Sequence, residues 1–467
     1  MHVTRTTLTA AAGVFSLLLA PLSAQQQLPA DSARLDVDAA AGVVTMLLKR
    51  AAFDEARDAA LTLRDRLPRS AAIRALSGEA LWGAGLFDDA EQEFDAALRL
   101  DPDEPRARDG RARSLAARGR LGDALDEARA ATRLAAGVPE FHHTLASVHE
   151  RLNQFDAAAV ALEAYATLLP PGEKAAWAHA RVKFLRSFSR RTPLDFGKAP
   201  GPFTLPVRID GDKVLVRGRV NGGRELDFVL DTGSEQIVLS RGVAARAGVR
   251  PITYVQSAGV GDARFRPLQA ARVDTLEIGP MKVRNVPVLI KSPGLPNLPA
   301  READTFSPLA LGLSMVLDYG RRELTMAASL PDETFDVTLP LRMHRLAMVP
   351  GLAGGRRASF VVDTGGEVIS ISTRIAEGMA TAPDVRRIPL KVYGSSGWDP
   401  SAFLLPYVDL AFEGLQYPNT SVVVLDLDAP SALLGFKVGG IVGHRFLRDY
   451  RVTIDLARAR LGLKLLD

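Results

Sequence analysis

The chain has no cysteine, only seven histidines, and few aromatic residues, 6% in all. Without cysteine there is no disulfide, no thiolate metal site, no cysteine nucleophile and no lipid-modified cysteine anchor. The histidines do not fill the gap. His142, His143 and His149 are close in sequence, but positions 142 and 149 are two helical turns apart, too far for one ion, and no His-Glu-x-x-His pattern occurs. A dominant charge sign is missing as well. Lys and Arg number 58 against 54 Asp and Glu, and no basic run interleaved with aromatics offers a nucleic-acid face. Gly351-Leu352-Ala353-Gly354-Gly355 lacks the Gly-Lys-Ser/Thr of a phosphate loop, and no Gly-x-Ser-x-Gly elbow is present. Beyond the N-terminus no stretch is apolar enough to span a bilayer. What remains is ordinary for folded protein: 47% hydrophobic and 24% charged residues over 467 positions, enough for two to four domains.

The N-terminus has the layout of an export signal. Arg5 supplies positive charge, Leu8 to Ala20 is apolar, and small residues continue to Ala24. The apolar stretch is too short for a comfortable transmembrane helix. The expectation is a signal peptide over residues 1–24 and a periplasmic or secreted protein, with a retained anchor as the alternative.

Ala56, Ala90, Ala124 and Ala158 recur at one fixed interval, and Phe53, Phe87, Leu121 and Phe155 keep the same register. Pro68, Pro102 and Pro170 follow their alanines at a constant offset, with Ala136 in the third slot. Small residues let helices approach closely, and proline ends a helix because it cannot continue the hydrogen-bond ladder. A period of this length with these features resembles the tetratricopeptide repeat. About four repeats span residues 37 to 172, capped by a helix near Lys174 to Ser187.

Arg190 to Pro202 breaks the pattern and reads as a linker. Beyond it the period becomes alternating. Val214 to Val220 precedes Asn221-Gly222, a tight-hairpin signal, and Leu226 to Leu230 forms the next strand.

Two strands then run into matching turns. Phe228-Val229-Leu230 leads to Asp231-Thr232-Gly233-Ser234, and Phe360-Val361-Val362 leads to Asp363-Thr364-Gly365-Gly366. A short apolar strand follows each. Downstream, Leu309-Ala310-Leu311-Gly312 pairs with Gly440-Ile441-Val442-Gly443, because Gly312 and Gly443 follow their aspartates at nearly the same distance. Two carboxylates held close together cannot both ionise cheaply, so they share a proton; one acts as base on a water while the other polarises a carbonyl.

These motifs resemble the retropepsin-like aspartic peptidases, fused here as two lobes in one chain. The resemblance implies a dyad of Asp231 and Asp363. Thr232 and Thr364 would lock the two turns across the lobe junction, Gly233 and Gly365 would permit the turns, and Ser234 would support the first. It also implies a hairpin flap from each lobe. Val255 to Pro267, with Gly259 and Gly261, and Val392 to Ser401, with Gly394, Gly397 and Trp398, are the candidates for contacting substrate. No metal or organic cofactor is implied.

The reading is therefore a multidomain chain. An all-α tetratricopeptide-repeat solenoid (35–189) and a linker (190–202) precede an all-β bilobal acid-protease domain, lobe one at 203–330 and lobe two at 331–467. The expected activity is exported aspartic endopeptidase acting on a peptide or protein, with a possible protein partner on the repeats, no nucleic acid, and no membrane span after signal removal. The alternative is a catalytically silent peptide-binding protein. Two departures bear on it. Gly366 replaces the hydroxyl of Ser234. The step from Gly312 to Asp318 is half that from Gly443 to Asp455, so lobe one is expected to lack the short helix that Arg445 to Arg448 forms in lobe two.

Overall fold

The computed structural model describes residues 30–261, 265–291, 304–377, 379 and 386–466. The expected signal peptide lies outside these residues, as do positions 292–303 of lobe one, part of the Pro-rich insertion that the sequence places at Ser292 to Pro308.

Helices α1 (Ala30–Lys49), α2 (Phe53–Arg66), α3 (Ala71–Gly83), α4 (Phe87–Leu100) and α5 (Pro105–Ala117) are followed by α6 (Leu121–Leu134), α7 (Pro139–Arg151), α8 (Phe155–Leu168) and α9 (Glu173–Arg186). Pro105 and Pro139 open α5 and α7, where a missing N–H costs nothing. The periodic alanines Ala56, Ala90, Ala124 and Ala158 are completely buried. Smallness is required elsewhere too: a Cβ on Gly78 or Gly110 would stand 2.5 or 2.3 Å from the Phe94 ring, which fills the space between α3 and α5.

Lobe one contains β1 (Phe203–Pro206), β2 (Arg208–Asp210), β3 (Lys213–Val220), β4 (Leu226–Leu230), β5 (Ile237–Leu239) and β6 (Pro251–Ser257). It continues with β7 (Arg266–Ile278), β8 (Met281–Ile290), β9 (Asp304–Phe306), β10 (Ser314–Asp318) and β11 (Glu323–Ala327). Lobe two contains β12 (Val337–Pro340), β13 (Arg342–His344), β14 (Leu346–Ala353), β15 (Arg356–Val362), β16 (Ile369–Ser372) and β17 (Ile388–Pro389). After the β18 (Val392–Gly394) and β19 (Gly397–Asp399) hairpin come β20 (Phe403–Phe412), β21 (Leu415–Leu425), β22 (Gly440–Val442), β23 (Tyr450–Asp455) and β24 (Arg460–Leu465).

The two lobes are built alike. One sheet runs β2-β3-β4-β9-β5-β8-β7-β6 and the other β13-β14-β15-β22-β16-β21-β20-β17, the same order of equivalent strands. A third sheet, β1-β11-β10-β23-β24-β12, joins the lobes and reads symmetrically about the β10–β23 pair, where Met315 faces Ile454 and Leu317 faces Val452. Asn221 and Gly222 both take positive φ in the β3–β4 turn, as a right-twisted hairpin requires.

This register corrects the expected match of Gly312 with Gly443. β9 pairs with β4 in parallel, Leu230 opposite Phe306, and β22 pairs with β15 in parallel, Val362 opposite Val442. The counterpart of Gly443 is therefore Ser307. Counted from there, the stretch from Ser307 to Asp318 nearly equals in length that from Gly443 to Asp455. Lobe one also has its short helix, a 3-10 turn at Leu309–Leu311, where lobe two has His444–Leu447. Asp318 and Asp455 play one role in both lobes, each accepting the backbone N–H three positions on, from Arg321 and Arg458. The apolar-apolar-Gly pattern misleads because Leu309 to Gly312 repeats its letters a little past its place.

The helical repeats dock on both lobes. On lobe two, Lys437 donates to Asp54 at 2.6 Å and Ser359 to the Gly85 carbonyl at 2.6 Å, while Arg342 pairs with Asp88. Trp82 and Phe436 pack on the His344 ring with centroids 5.0 and 5.1 Å away, and burial pushes the His344 imidazole down to about 3, so it stays neutral. On lobe one, α9 lies against β6, and Ile252 and Val255 pack on the cluster formed by Val182, Leu185 and Phe188. The segment expected as a free linker is laid along β8: Asp195 bridges to Arg284, and the Asn285 amide donates to the Thr192 carbonyl at 2.9 Å.

Candidate active site

Each lobe ends a buried strand, β4 or β15, at an aspartate and turns back at once. The turn is anchored first through backbone: Asp231 N–H donates to Phe306 O at 2.9 Å and Asp363 N–H to Val442 O at 3.1 Å. The turns then meet across the lobe junction. Thr232 Oγ1 donates to Val362 O at 2.7 Å and accepts from Thr364 N–H at 3.0 Å. Reciprocally, Thr364 Oγ1 donates to Leu230 O at 2.8 Å and accepts from Thr232 N–H at 3.2 Å. Both threonines are buried, so all four bonds are shielded from water.

The glycines let the carboxylates cross. A Cβ on Gly233 would stand 2.4 Å from Asp363 Cγ, and one on Gly365 would stand 2.7 Å from Asp231 Cγ. Each glycine thus borders the other lobe's acid, and any side chain there would push the dyad apart. Ser234 turns its hydroxyl back onto Gln236 O at 2.7 Å. Gly366 has a reason of its own: a Cβ there would stand 2.8 Å from Asp363 Oδ2, and its carbonyl accepts His444 N–H at 2.7 Å.

Both carboxyls are half-buried, open to solvent on one side and hemmed in by protein on the others. Desolvation raises the pKa of each, and for Asp231 the charge of Asp363 adds to the rise. The hydrogen bonds are unequal. Asp363 Oδ1 accepts Gly365 N–H at 2.8 Å and the Gly366 amide also faces that carboxyl, whereas the Gly233 amide alone faces Asp231, which favours the charge on Asp363.

Two cations missed in the sequence frame the turns. Lys213, the first residue of β3 beside the tip of the first hairpin, reaches Gly365 O at 2.5 Å and lies 3.5 Å from Glu367. Arg345, at the tip of the matching hairpin in lobe two, pairs with Glu235 at 2.7 Å. A signal was present. Lys213 precedes Asp231 by the same interval that separates Arg345 from Asp363, and Glu235 and Glu367 follow those aspartates at equal distances.

The hairpins expected as flaps touch, although positions 262–264 of the first lie outside the described residues. Gly259 N–H donates to Ser396 Oγ at 2.9 Å, Ser396 N–H to Val260 O at 3.0 Å, and Arg266 to Ser395 O at 3.1 Å. A Cβ on Gly261 would fall 2.4 Å from Gly397 N, and one on Gly394 would fall 2.2 Å from Val260 O. Gly261 and Gly397 also hold positive φ of 136° and 117°, open to glycine alone. These four glycines therefore form the flap-to-flap contact. Trp398 packs edge-on against Tyr393 of its own hairpin, with centroids 4.6 Å apart and Lys391 over its ring.

Residues 216–314 and 349–443 match the aspartyl protease family model, and residues 46–105 and 76–139 match the tetratricopeptide-repeat model. Among solved structures, an aspartic proteinase from Irpex lacteus is similar over 57% of this chain and 98% of its own, at 13% identity and TM-score 0.36. A structure described as "MamA RS-1 ArsTM double mutant" is similar over 33% of this chain and 84% of its own, at 18% identity and TM-score 0.26. No curated protein matches the chain.

Proposed function

From two aspartyl-protease lobes set behind tetratricopeptide repeats, we infer that this chain is an exported aspartic endopeptidase. The observation that carries the reading is the convergence of Asp231 and Asp363, one from each lobe, on a common point between Gly233 and Gly365. In the resting pair Asp231 holds the proton and Asp363 the charge. Asp363 takes a proton from the attacking water as Asp231 donates to the scissile carbonyl. The resulting tetrahedral species collapses as Asp363 passes its proton to the leaving amine and Asp231 takes one back from the diol hydroxyl, which restores the resting pair. The substrate lies extended beneath the two flaps and adds its backbone to strand edges. The flap tips part to admit it and close to exclude water.

The repeats carry a protein partner or a substrate segment on the surface that the two lobes leave free. The apolar Leu8 to Ala20 stretch directs export to the periplasm or beyond the cell. A silent peptide-binding protein was favoured by the apparent shortening of lobe one, and that ground is gone with Ser307 in the place of Gly443.

The test is digestion of a mixed peptide library from acidic to neutral pH, read by mass spectrometry. Internal cleavages lost in Asp231→Asn and in Asp363→Asn support the reading. Products unchanged in either variant refute it.

A further inference from the structure

The two lobes repeat one another closely, yet their dyad is not symmetric in charge. Val216 of β3 faces Phe228 and Val349 of β14 faces Phe360, which places Lys213 in register with Leu346. Lobe one thus carries a cation where lobe two carries an apolar side chain. The nearby Arg345 does not restore the balance, because its guanidinium is taken by Glu235 at 2.7 Å and Leu433 O at 2.8 Å.

Lys213 Nζ sits 2.5 Å from Gly365 O. That carbonyl and the N–H of Gly366 are two ends of one peptide unit. Drawing electron density onto the carbonyl oxygen strengthens the N–H as a donor. The Gly366 N–H donates to the Asp363 main-chain oxygen at 3.3 Å beside the carboxylate, whose Oδ2 would lie 2.8 Å from a Cβ on Gly366, and the Gly365 N–H donates to Asp363 Oδ1 at 2.8 Å. Gly365 also abuts Asp231, so a shift of this peptide moves both acids. We infer that Lys213 is a positioning residue that holds the Gly365–Gly366 peptide against Asp363 and so stabilises the single negative charge that the dyad shares. The inference rests on the proposed dyad.

Other titratable groups surround the pair. Asp212, Glu367 and His444 lie about Lys213, and Tyr319 faces Asp363 from the end of β10. Burial lowers His444 and raises Tyr319, and both directions favour the neutral side chain. Replacing Lys213 leaves all four in place, and Glu367→Gln serves as the control for the ion pair alone.

The experiment compares the full chain with Lys213→Met, Lys213→Arg and Lys213→Gln, each with and without Asp231→Asn. Urea unfolding is measured from about pH 3 to about pH 9. The stability gap between a protein and its Asp231→Asn partner opens over the pH range where the dyad titrates. Its midpoint is expected to rise by about one pH unit in Lys213→Met and Lys213→Gln, and to stay put in Lys213→Arg. Any peptide hydrolysis should move to higher pH in parallel. A midpoint unmoved in both neutral variants overturns the inference, and Lys213→Gln keeps the test open if Lys213→Met fails to fold. A moved midpoint in a chain that cleaves no peptide supports the inference and counts only against the endopeptidase reading.

Discussion

At Asp231 and Asp363 the fold works against itself. Two acids are drawn from water and pressed together, and glycines at positions 233 and 365 remove the side chains that would separate them. The consequence can be read in pH. A carboxyl raised in the folded state stabilises the protein by being protonated. That contribution is complete below the ordinary value of 3.8 and is lost as pH climbs through the folded value, about 8 for Asp231. Asp231→Asn, which cannot ionise, should therefore match the wild type near pH 4 and exceed it by at least about 1.4 kcal/mol near pH 8, measured by urea unfolding. Thr232→Val tests the opposite effect. It leaves Val362 O and Thr364 N–H buried without their partner and should cost about 1–3 kcal/mol. The same variant should slow hydrolysis, since the turns lose half of their cross-lobe bonds.

Among the elements, the hairpins decide what the site can admit. Ser396 takes the Gly259 N–H across the cleft, so Ser396→Ala should speed hydrogen exchange at Gly259 and in residues 392–399 and leave β4 and β15 protected. Much of this was legible from residue types. Asp-Thr-Gly after an apolar strand, Asn-Gly after an alternating one, and glycine-rich hairpins each carry a local physical demand that survives any tertiary context. The link between Ser307 and Gly443 was not legible, because parallel pairing to β4 and β15 sets that register and no local pattern reports it. Lys213 and Arg345 were missed for a related reason. A lone cation in a hairpin looks solvated until the opposite lobe supplies its partner. Trp398, expected to contact substrate, packs edge-on against its cross-strand neighbour Tyr393.

In the whole molecule the repeats act as a brace across both lobes. They hold lobe two through Lys437, Ser359 and Arg342, and lobe one through the base of its flap at β6. Lys437 is buried while Asp54 is partly solvated, so Asp54→Ala should cost about 3 kcal/mol, the low end for breaking a buried pair, checked by urea unfolding. The repeat period was plain in the sequence, whereas its docking was not, because the contacts come from isolated residues far apart along the chain, such as Arg342 and Asp88. The bilobal arrangement stands or falls with one acid from each half acting as a unit. The direct measurement is peptide hydrolysis by Asp231→Asn, Asp363→Asn and the double variant, side by side. Each single change should lower the rate about 10²–10⁴-fold, and the double should fall no further than the singles. Losses that multiply in the double variant, or a single variant that keeps wild-type rate, would contradict a shared site.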